Sequence, residues 1–223
     1  GFLRSMVPSV SPVIWTTVAT GRSPDEHGIR GFAKVDVAGG PATTLFNNYD
    51  RHCKAFWNIL SERGRRVGVV GWWMTYPVDS VNGVMVAQVN TLDALGLDPN
   101  RPLMGGLVTG ASAVDVPGQV FPDALGDELL GVGARVASET EARTADIFGE
   151  AVARTTGGER KLWQETAWAV RADATYLAIA QALDPASFDV FAVYLGGIDV
   201  VGHRFWRYAH PESFEHPPTP REV

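Results

Sequence analysis

Helical and strand patterns follow one another twice along this chain. Residues 55–63 carry apolar side chains at helical spacing, and residues 67–72 form a short, continuously apolar run. Residues 159–183 repeat the helical pattern over a longer stretch, and residues 188–195 are again rich in strand-forming side chains. A short apolar run of this kind is typical of a strand buried on both faces. The repeated order therefore predicts an α/β fold with a mainly parallel sheet and helices on its faces.

The two helical patterns also predict which side chains face the core. In residues 159–183 the spacings of three and four give a mostly apolar stripe that consists of Trp163, Ala167, Val170, Ala174, Leu177 and Gln181. In residues 55–63 the predicted apolar face consists of Phe56, Ile59 and Leu60. A stripe of this kind indicates a helix that lies on a sheet or on another helix.

The remaining stretches have weaker patterns. Residues 31–44 are rich in glycine and predict a loop with a brief strand or hairpin, and residues 83–89 predict a second strand. Residues 134–153 predict a helix. Residues 91–133 have no sustained period, so we expect an insertion or cap within about residues 91–160.

Composition excludes several classes of protein. The 223 residues have 45% hydrophobic content, which suits a folded core, and a net charge of −6 without a basic block argues against a nucleic-acid surface. No apolar run approaches the length of a membrane span. The single cysteine, Cys53, excludes an internal disulfide and a cysteine-only zinc site. Neither an oligomeric state nor a cellular compartment follows from the sequence.

Residues 9–32 contain the first candidate for chemistry. Ser11 precedes Pro12, and the following apolar and threonine-rich run ends at Gly21. Serine is a preferred helix N-cap, proline suits the first turn, and glycine commonly ends a helix. The pattern predicts a helix with Ser11 as its N-cap, which is either a plain capping residue or a nucleophile at an anion-binding helix end.

A second candidate follows the strand predicted at residues 188–195. Asp199 and His203 are four residues apart, so one helical turn would place both side chains on the same face. A carboxylate and an imidazole suit zinc or a similar divalent ion, which would need at least one more protein ligand. The pair could also be solvated surface residues. We expect His27 to order its turn by hydrogen bonding, and the remaining histidines have no partner pattern.

Together these motifs resemble one known family. Residues 11–29 read SPVIWTTVATGRSPDEHGI, and the strand at residues 188–195 is followed by Asp-Val-Val-Gly-His. This combination resembles the type I phosphodiesterase/nucleotide pyrophosphatase family of the alkaline phosphatase superfamily. The resemblance implies a three-layer fold and a site for two divalent metal ions, zinc being expected. It also implies a small phosphorylated substrate.

The resemblance assigns roles to three residues. By position, Ser11 matches the family's nucleophile, which coordinates one metal and becomes transiently phosphorylated, and Asp199 and His203 match two ligands of the other metal. Ser9 is the alternative nucleophile, although it lies two residues too far from Thr20. The resemblance implies a metal-dependent hydrolase of phosphoric esters.

The chain departs from the family pattern at several points. The family has an Asp upstream of the nucleophile and an Asp-His-Gly motif with a final His downstream, and none of these has a counterpart here. We therefore expect residues 1–223 to be a partial catalytic domain, incomplete at both ends. Ile14 replaces an Asn that holds a phosphate oxygen in many phosphodiesterases, which leaves diester or monoester preference open.

Other functions stay open on these grounds. The chain could be a catalytically incomplete fragment or a binding module without enzymatic activity. It could also be a phosphomonoesterase or phosphomutase relative. The setting of Ser11 does not match the Cys/Ser-X-Pro-X-Arg pattern of sulfatases.

Overall fold

A mixed four-stranded sheet lies at the centre of the structure. The structure is a computed structural model that describes residues 4–7, 9–34, 44–89, 116–154 and 158–218. The sheet contains β3 (Val67–Val70), β4 (Gly83–Val86), β5 (Val120–Phe121) and β6 (Val190–Val193), in the order β5-β4-β3-β6. A separate two-stranded sheet pairs β1 (Ala33–Lys34) with β2 (Thr44–Leu45).

Six α-helices are described, and they pack chiefly around the central sheet. They are α1 (Ser11–Thr20), α2 (Pro24–His27), α3 (Phe56–Glu62), α4 (Gly126–Arg154), α5 (Gly158–Ala182) and α6 (Gly197–Ala209). Short 3₁₀ turns lie at Asn48–Asp50, Asp123–Leu125, Pro185–Ser187 and Pro211–Ser213. No helix within the described ranges is long and apolar enough to cross a membrane.

The three long strands of the sheet are parallel, as the sequence predicts. β3 pairs in parallel with β4, Val67 opposite Gly83, and in parallel with β6, Val67 opposite Val190. β5 adds an antiparallel edge next to β4. Because β3, β4 and β6 run the same way, their carboxyl ends meet at one edge of the sheet, where ligands bind in folds of this class.

Alternating side chains of the strands form two core layers. Val70, Val84 and Val86 pack in one cluster with α4 and α5, which contribute Leu129 and Tyr176. A second cluster contains Val67, Val69 and Met85 of the sheet, together with Trp57 of α3 and Ala19 of α1. Successive strand residues point to opposite faces, so the sheet is covered on both sides. The molecule is therefore a three-layer α/β structure, and the predicted fold class is confirmed.

The predicted helix at residues 159–183 is confirmed, but its predicted buried face is wrong. Leu177 of the predicted stripe is 45% exposed, whereas the side chains of Ala169, Ala172, Tyr176, Ile179 and Ala180 are buried. Ala180 and Tyr176 pack in the cluster that contains Val70, Val84 and Val86, and Tyr176 packs where a side chain at Gly71 would collide with its ring. Close packing of small residues thus decides the orientation of α5, which a count of large apolar side chains does not detect.

In α3 the predicted face is confirmed for Phe56 and Leu60, which pack against the core, but it includes the more exposed Ile59 and omits Trp57. Trp57 is 1% exposed and belongs to the core, whereas Ile59 is 36% exposed. The indole of Trp57 donates a hydrogen bond from Nε1 to Oδ2 of Asp79 at 2.7 Å. A buried tryptophan needs a hydrogen-bond acceptor for its N–H, and the carboxylate of Asp79 is that acceptor.

The weaker predictions also have outcomes in the described residues. The predicted hairpin is present as the antiparallel pair β1 and β2, and the predicted strand at residues 83–89 is confirmed as the shorter β4. Residues 90–115 lie outside the described residues. Within residues 116–160, β5 joins the sheet and α4 contributes Leu129 to the core. Whether residues 91–160 contain an insertion or cap stays a prediction.

Helix α1 begins one residue earlier than the capping pattern predicts. Val10 is the N-cap with an extended backbone, its carbonyl accepts the N–H of Ile14 at 3.0 Å, and Ser11 is the first helical residue. The prediction that Ser11 is the N-cap is therefore wrong. Proline is tolerated throughout the first turn because the N–H groups there have no intrahelical acceptor, so Pro12 does not determine which residue caps the helix. The predicted end at Gly21 is confirmed, with φ 64°.

His27 of α2 fastens α1 to the adjoining loop. The imidazole is fully buried, its Nδ1 accepts the N–H of Ile29 at 3.1 Å, and its Nε2 lies 2.9 Å from Oγ1 of Thr17. Because Nδ1 is an acceptor, the ring proton is on Nε2 and is donated to Thr17. Burial lowers the pKa of His27. The neutral imidazole thus orders its turn, as expected.

We predict that protonation of His27 destabilises the fold at acidic pH. The folded state prefers the neutral ring, whereas the unfolded chain takes up a proton near the ordinary histidine pKa of about 6.5. The free energy of unfolding should therefore be constant above that pH and fall as the pH is lowered below it. Urea unfolding at several pH values measures this dependence.

A variant without the His27 imidazole tests whether this side chain causes the acid dependence. His27→Asn should lower stability at neutral pH by about 1–3 kcal/mol, because buried polar groups lose their partner, and it should remove most of the acid dependence. The exposed His216 provides the matched control, and His216→Ala should behave like the wild type. An unchanged acid dependence in His27→Asn would refute the assignment.

Candidate active site

The amino end of α1 carries Ser11 at a half-buried position. Pro12 and Val13, the next two residues, are buried against the rest of the fold. Ser9 lies before the helix, is exposed, and donates its hydroxyl proton to the carbonyl of Met6 at 3.0 Å. The first-turn N–H groups of a helix have no intrahelical acceptor and point outward with the positive end of its dipole. Ser11 thus occupies an end of a helix that suits an anion, whereas Ser9 stands outside it.

An aromatic contact attaches this end of α1 to the carboxyl edge of the sheet. Trp15, one turn after Ser11, meets Tyr194 edge to face with ring centroids 4.8 Å apart. It meets Trp72 in the same way at 5.3 Å, and Nε1 of Trp72 donates to the Trp15 carbonyl at 3.2 Å. Trp72 follows β3 and Tyr194 follows β6, so α1 is held against the carboxyl ends of these two neighbouring strands.

Further rings extend this cluster along the sheet edge. Trp73 packs against Tyr194 with a centroid distance of 6.3 Å and against Phe32 at 5.9 Å. Trp72 packs against Trp57 of α3 at 6.2 Å. Edge-to-face arrangements of this kind stabilise beyond the area that they bury. Trp72 and Trp73 therefore pack within the fold.

Helix α6 follows Tyr194 and carries the predicted pair of polar residues. Nε2 of His203 lies 3.6 Å from Oδ1 of Asp199, and the two side chains are 71% and 48% exposed. The predicted proximity of Asp199 and His203 is therefore confirmed. Their exposure leaves both groups accessible to a ligand.

Tyr194 lies between α1 and the carboxylates near α6. Burial raises the pKa of its hydroxyl, and the negative charges of Asp199 and Asp173 raise the pKa further. The ring that packs against Trp15 is therefore within electrostatic range of Asp199. The phenol stays protonated at neutral pH.

A carboxylate of α5 holds the first turn of α6. Asp173 accepts the N–H of Gly196 at Oδ1, 2.8 Å away, and the N–H of Gly197 at Oδ2, 2.9 Å away. Burial raises the pKa of Asp173, while these two bonds act in the opposite direction. Sequence reasoning missed this residue. The signal in the sequence was the position of this carboxylate, three residues after Val170 within the most regular helical pattern of the chain.

The sequence matches the model of a known protein family over nearly its whole length. The model of the type I phosphodiesterase / nucleotide pyrophosphatase family matches residues 2–217. The chain belongs to this family. The type I phosphodiesterase family is part of the alkaline phosphatase superfamily, so this is a hydrolase of the phosphodiesterase/pyrophosphatase type. Searches of curated proteins and of solved structures gave no match.

The residues of this type I phosphodiesterase meet only part of the requirement for a metal site. Ligand atoms about 2.0–2.2 Å from a tetrahedral zinc ion lie about 3.3–3.6 Å from one another. The separation of 3.6 Å between Asp199 and His203 fits one edge of such a tetrahedron. In the part of the chain that the structure describes, no group of three or more His, Cys, Asp or Glu side chains could hold an ion. The pair therefore fits as two ligands of a larger set.

An apolar groove lies beside the pair in this family member. It has a volume of about 510 Å³ and runs between α5 and α6, with Ile198, Val201, Phe205 and Trp206 among its lining residues. Its carboxylate, Asp173, already accepts two backbone hydrogen bonds. The lining residues include no Lys or Arg, so the groove itself does not suit a phosphate group.

Proposed function

We propose that this chain is a metal-dependent hydrolase of phosphoric esters in which Ser11 is the nucleophile. Asp199 and His203 supply two ligands of a divalent ion, with zinc expected. One observation carries the proposal. Trp15 packs at 4.8 Å against Tyr194, so the helix that begins at Ser11 lies at the edge of the sheet from which the helix that bears Asp199 starts. Membership of a phosphodiesterase family supports the same reaction class.

In the proposed reaction the hydroxyl oxygen of Ser11 attacks the phosphorus atom of the substrate. A bond forms between this oxygen and phosphorus while the hydroxyl proton passes to water, the bond to the leaving oxygen breaks, and the leaving group takes up a proton from water. Water then attacks the phosphoserine, the bond between phosphorus and Ser11 breaks, and the hydroxyl is restored. Formation of a covalent intermediate divides one difficult displacement into two.

The amino end of α1 stabilises the charge that develops on the phosphoryl group. Its outward N–H groups and the positive end of its dipole are suited to a phosphoryl oxygen. Pro12 contributes no N–H, so the backbone donors are those of its neighbours. The Ser9 hydroxyl is engaged with Met6 and lies outside this helix, which favours Ser11 as the nucleophile.

The proposed metal role rests on the chemistry of the Asp199–His203 pair. A bound divalent ion lowers the pKa of the attacking hydroxyl or water and neutralises phosphoryl charge. The carboxylate of Asp199 and the imidazole of His203 are the donor types that zinc prefers, and a second ion is expected by analogy with the family. Both side chains are accessible to an ion from solvent.

Loss of the Ser11 hydroxyl should abolish hydrolysis. Ser11→Ala should reduce turnover of a nitrophenyl phosphodiester or monoester in the presence of zinc by at least about a thousandfold, because no nucleophile remains. Acid-quenched wild-type protein should carry one phosphoryl group by intact mass, and the variant none. Comparison of the two substrates determines diester or monoester preference.

Ser9→Ala is the matched control and should retain activity. Full activity of Ser11→Ala, or loss of activity in Ser9→Ala alone, would refute the choice of nucleophile. Absence of hydrolysis by the wild type with either substrate, despite bound zinc, would favour a binding module or an incomplete fragment.

Replacement of either proposed ligand should weaken zinc binding. Asp199→Ala and His203→Ala should each lower zinc affinity about 10–100-fold and reduce zinc content after dialysis, because the ion loses one of its donors. Competition titration with a chelating dye and elemental analysis measure these quantities. His216→Ala removes an exposed histidine and should leave both unchanged. Zinc content equal to the wild type in both ligand variants would contradict the proposed site.

A further inference from the structure

The first turn of α6 is capped by a residue from another helix. Both oxygens of the Asp173 carboxylate accept backbone N–H groups, from Gly196 at 2.8 Å and from Gly197 at 2.9 Å. Gly196 is the N-cap of α6 and has no side chain with which to cap it. The capping function that a Ser, Thr, Asp or Asn normally performs locally is thus supplied across the interface between α5 and α6.

We propose that Asp173 is a positioning residue for the Asp199–His203 pair. It fixes the start of α6, and through the helix it fixes where Asp199 stands at the edge of the sheet. The inference rests on the proposed function, because it treats Asp199 and His203 as metal ligands. It adds a residue that neither binds the ion nor touches the reacting atoms.

Two close approaches show that this arrangement is built into the local sequence. A β-carbon at Gly197 would collide with Oδ2 of Asp173, and a β-carbon at Gly196 would lie 3.1 Å from the ring of Tyr194. Glycine at position 197 therefore lets the carboxylate reach the backbone. Gly202 of the same helix differs from these two glycines, since a β-carbon there would meet no atom within 4 Å.

The charge of Asp173 also suits this position. A carboxylate at the amino end of a helix interacts favourably with the positive end of the helix dipole. Because both of its oxygens are engaged with the first N–H groups of α6, that helix end is closed to a substrate phosphate. The first turn of α1, which carries Ser11, contains no acidic residue.

Asp173 accepts the N–H of Gly197, two residues before Asp199. It therefore acts on Asp199 only through the backbone of α6, and its effect on the metal is indirect. Asn at position 173 keeps one acceptor oxygen but places an NH₂ donor against the second backbone N–H. Two donors that face each other disfavour the observed geometry. The first turn of α6 should therefore shift or loosen in Asp173→Asn, and the ligands that follow it should lose their alignment.

The test is the affinity of the full chain for Zn²⁺, measured by competition titration in folded protein. Asp173→Asn should bind Zn²⁺ about tenfold more weakly than the wild type, as is usual when groups that orient metal ligands are altered. Gly197→Ala, which keeps every charge, should show the same loss. Gly202→Ala is the matched control on the same helix and should bind like the wild type.

A purely structural role for Asp173 predicts a different outcome. It would lower the free energy of unfolding but leave the Zn²⁺ affinity of the folded protein and the visible absorption bands of its Co²⁺ form unchanged. We expect these bands to shift in Asp173→Asn and Gly197→Ala, because the ligand geometry changes. Circular dichroism establishes which variants are folded.

The outcomes separate this inference from the proposed function. If Asp199→Ala weakens Zn²⁺ binding but folded Asp173→Asn does not, the positioning role is overturned and the proposed metal site survives. If Asp199→Ala has no effect either, the proposed site itself fails. Should Asp173→Asn not fold, Gly197→Ala decides the matter, and wild-type affinity in that variant overturns the positioning role.

Discussion

The contact between the indole of Trp15 and the phenol ring of Tyr194 is the interaction on which the candidate site depends. Trp15 belongs to the helix that begins at Ser11. Tyr194 follows β6 and stands five residues before Asp199 of α6. The ring centroids are 4.8 Å apart and the planes are nearly perpendicular, a favourable arrangement for aromatic rings. Without this contact, α1 would stay attached near the sheet through Trp72 and Ala19, but Trp15 would lose its contact with the residue that links β6 to the start of α6.

A second constraint acts on the other half of the site. Asp173 of α5 holds the backbone at Gly196 and Gly197, so α6 starts in a defined direction from the strand edge. Tyr194 is adjacent to both systems, because its ring packs against Trp15 while its hydroxyl lies in the field of Asp173 and Asp199. The side chain of Tyr194 is therefore close both to the aromatic rings that hold α1 and to the carboxylate that caps α6. This connection explains how two motifs far apart in the sequence come to share one edge of the sheet.

The sequence was sufficient to predict the elements, the parallel sheet and the proximity of Asp199 and His203, because these depend on periodicity and local spacing. It was not sufficient to predict orientation. Leu177 and Ile59 are more exposed than their patterns predict, since the helices turn their small residues or a hydrogen-bonded Trp57 toward the sheet. The roles of Trp15 and Asp173 depend on contacts between distant parts of the chain, which no local pattern contains. The start of α1 was misplaced because proline suits every position of a first turn.

A double-mutant cycle on Trp15 and Tyr194, read out as the rate of phosphodiester hydrolysis, tests the central claim most directly. Trp15→Leu and Tyr194→Leu should each slow hydrolysis, and the double variant should be no slower than the more impaired single one, because both changes break the same contact. Tyr194→Phe keeps the ring and should retain the coupling to Trp15. If the two leucine substitutions instead act independently, so that their effects on the rate multiply, the Trp15–Tyr194 contact does not align the site and the account is contradicted.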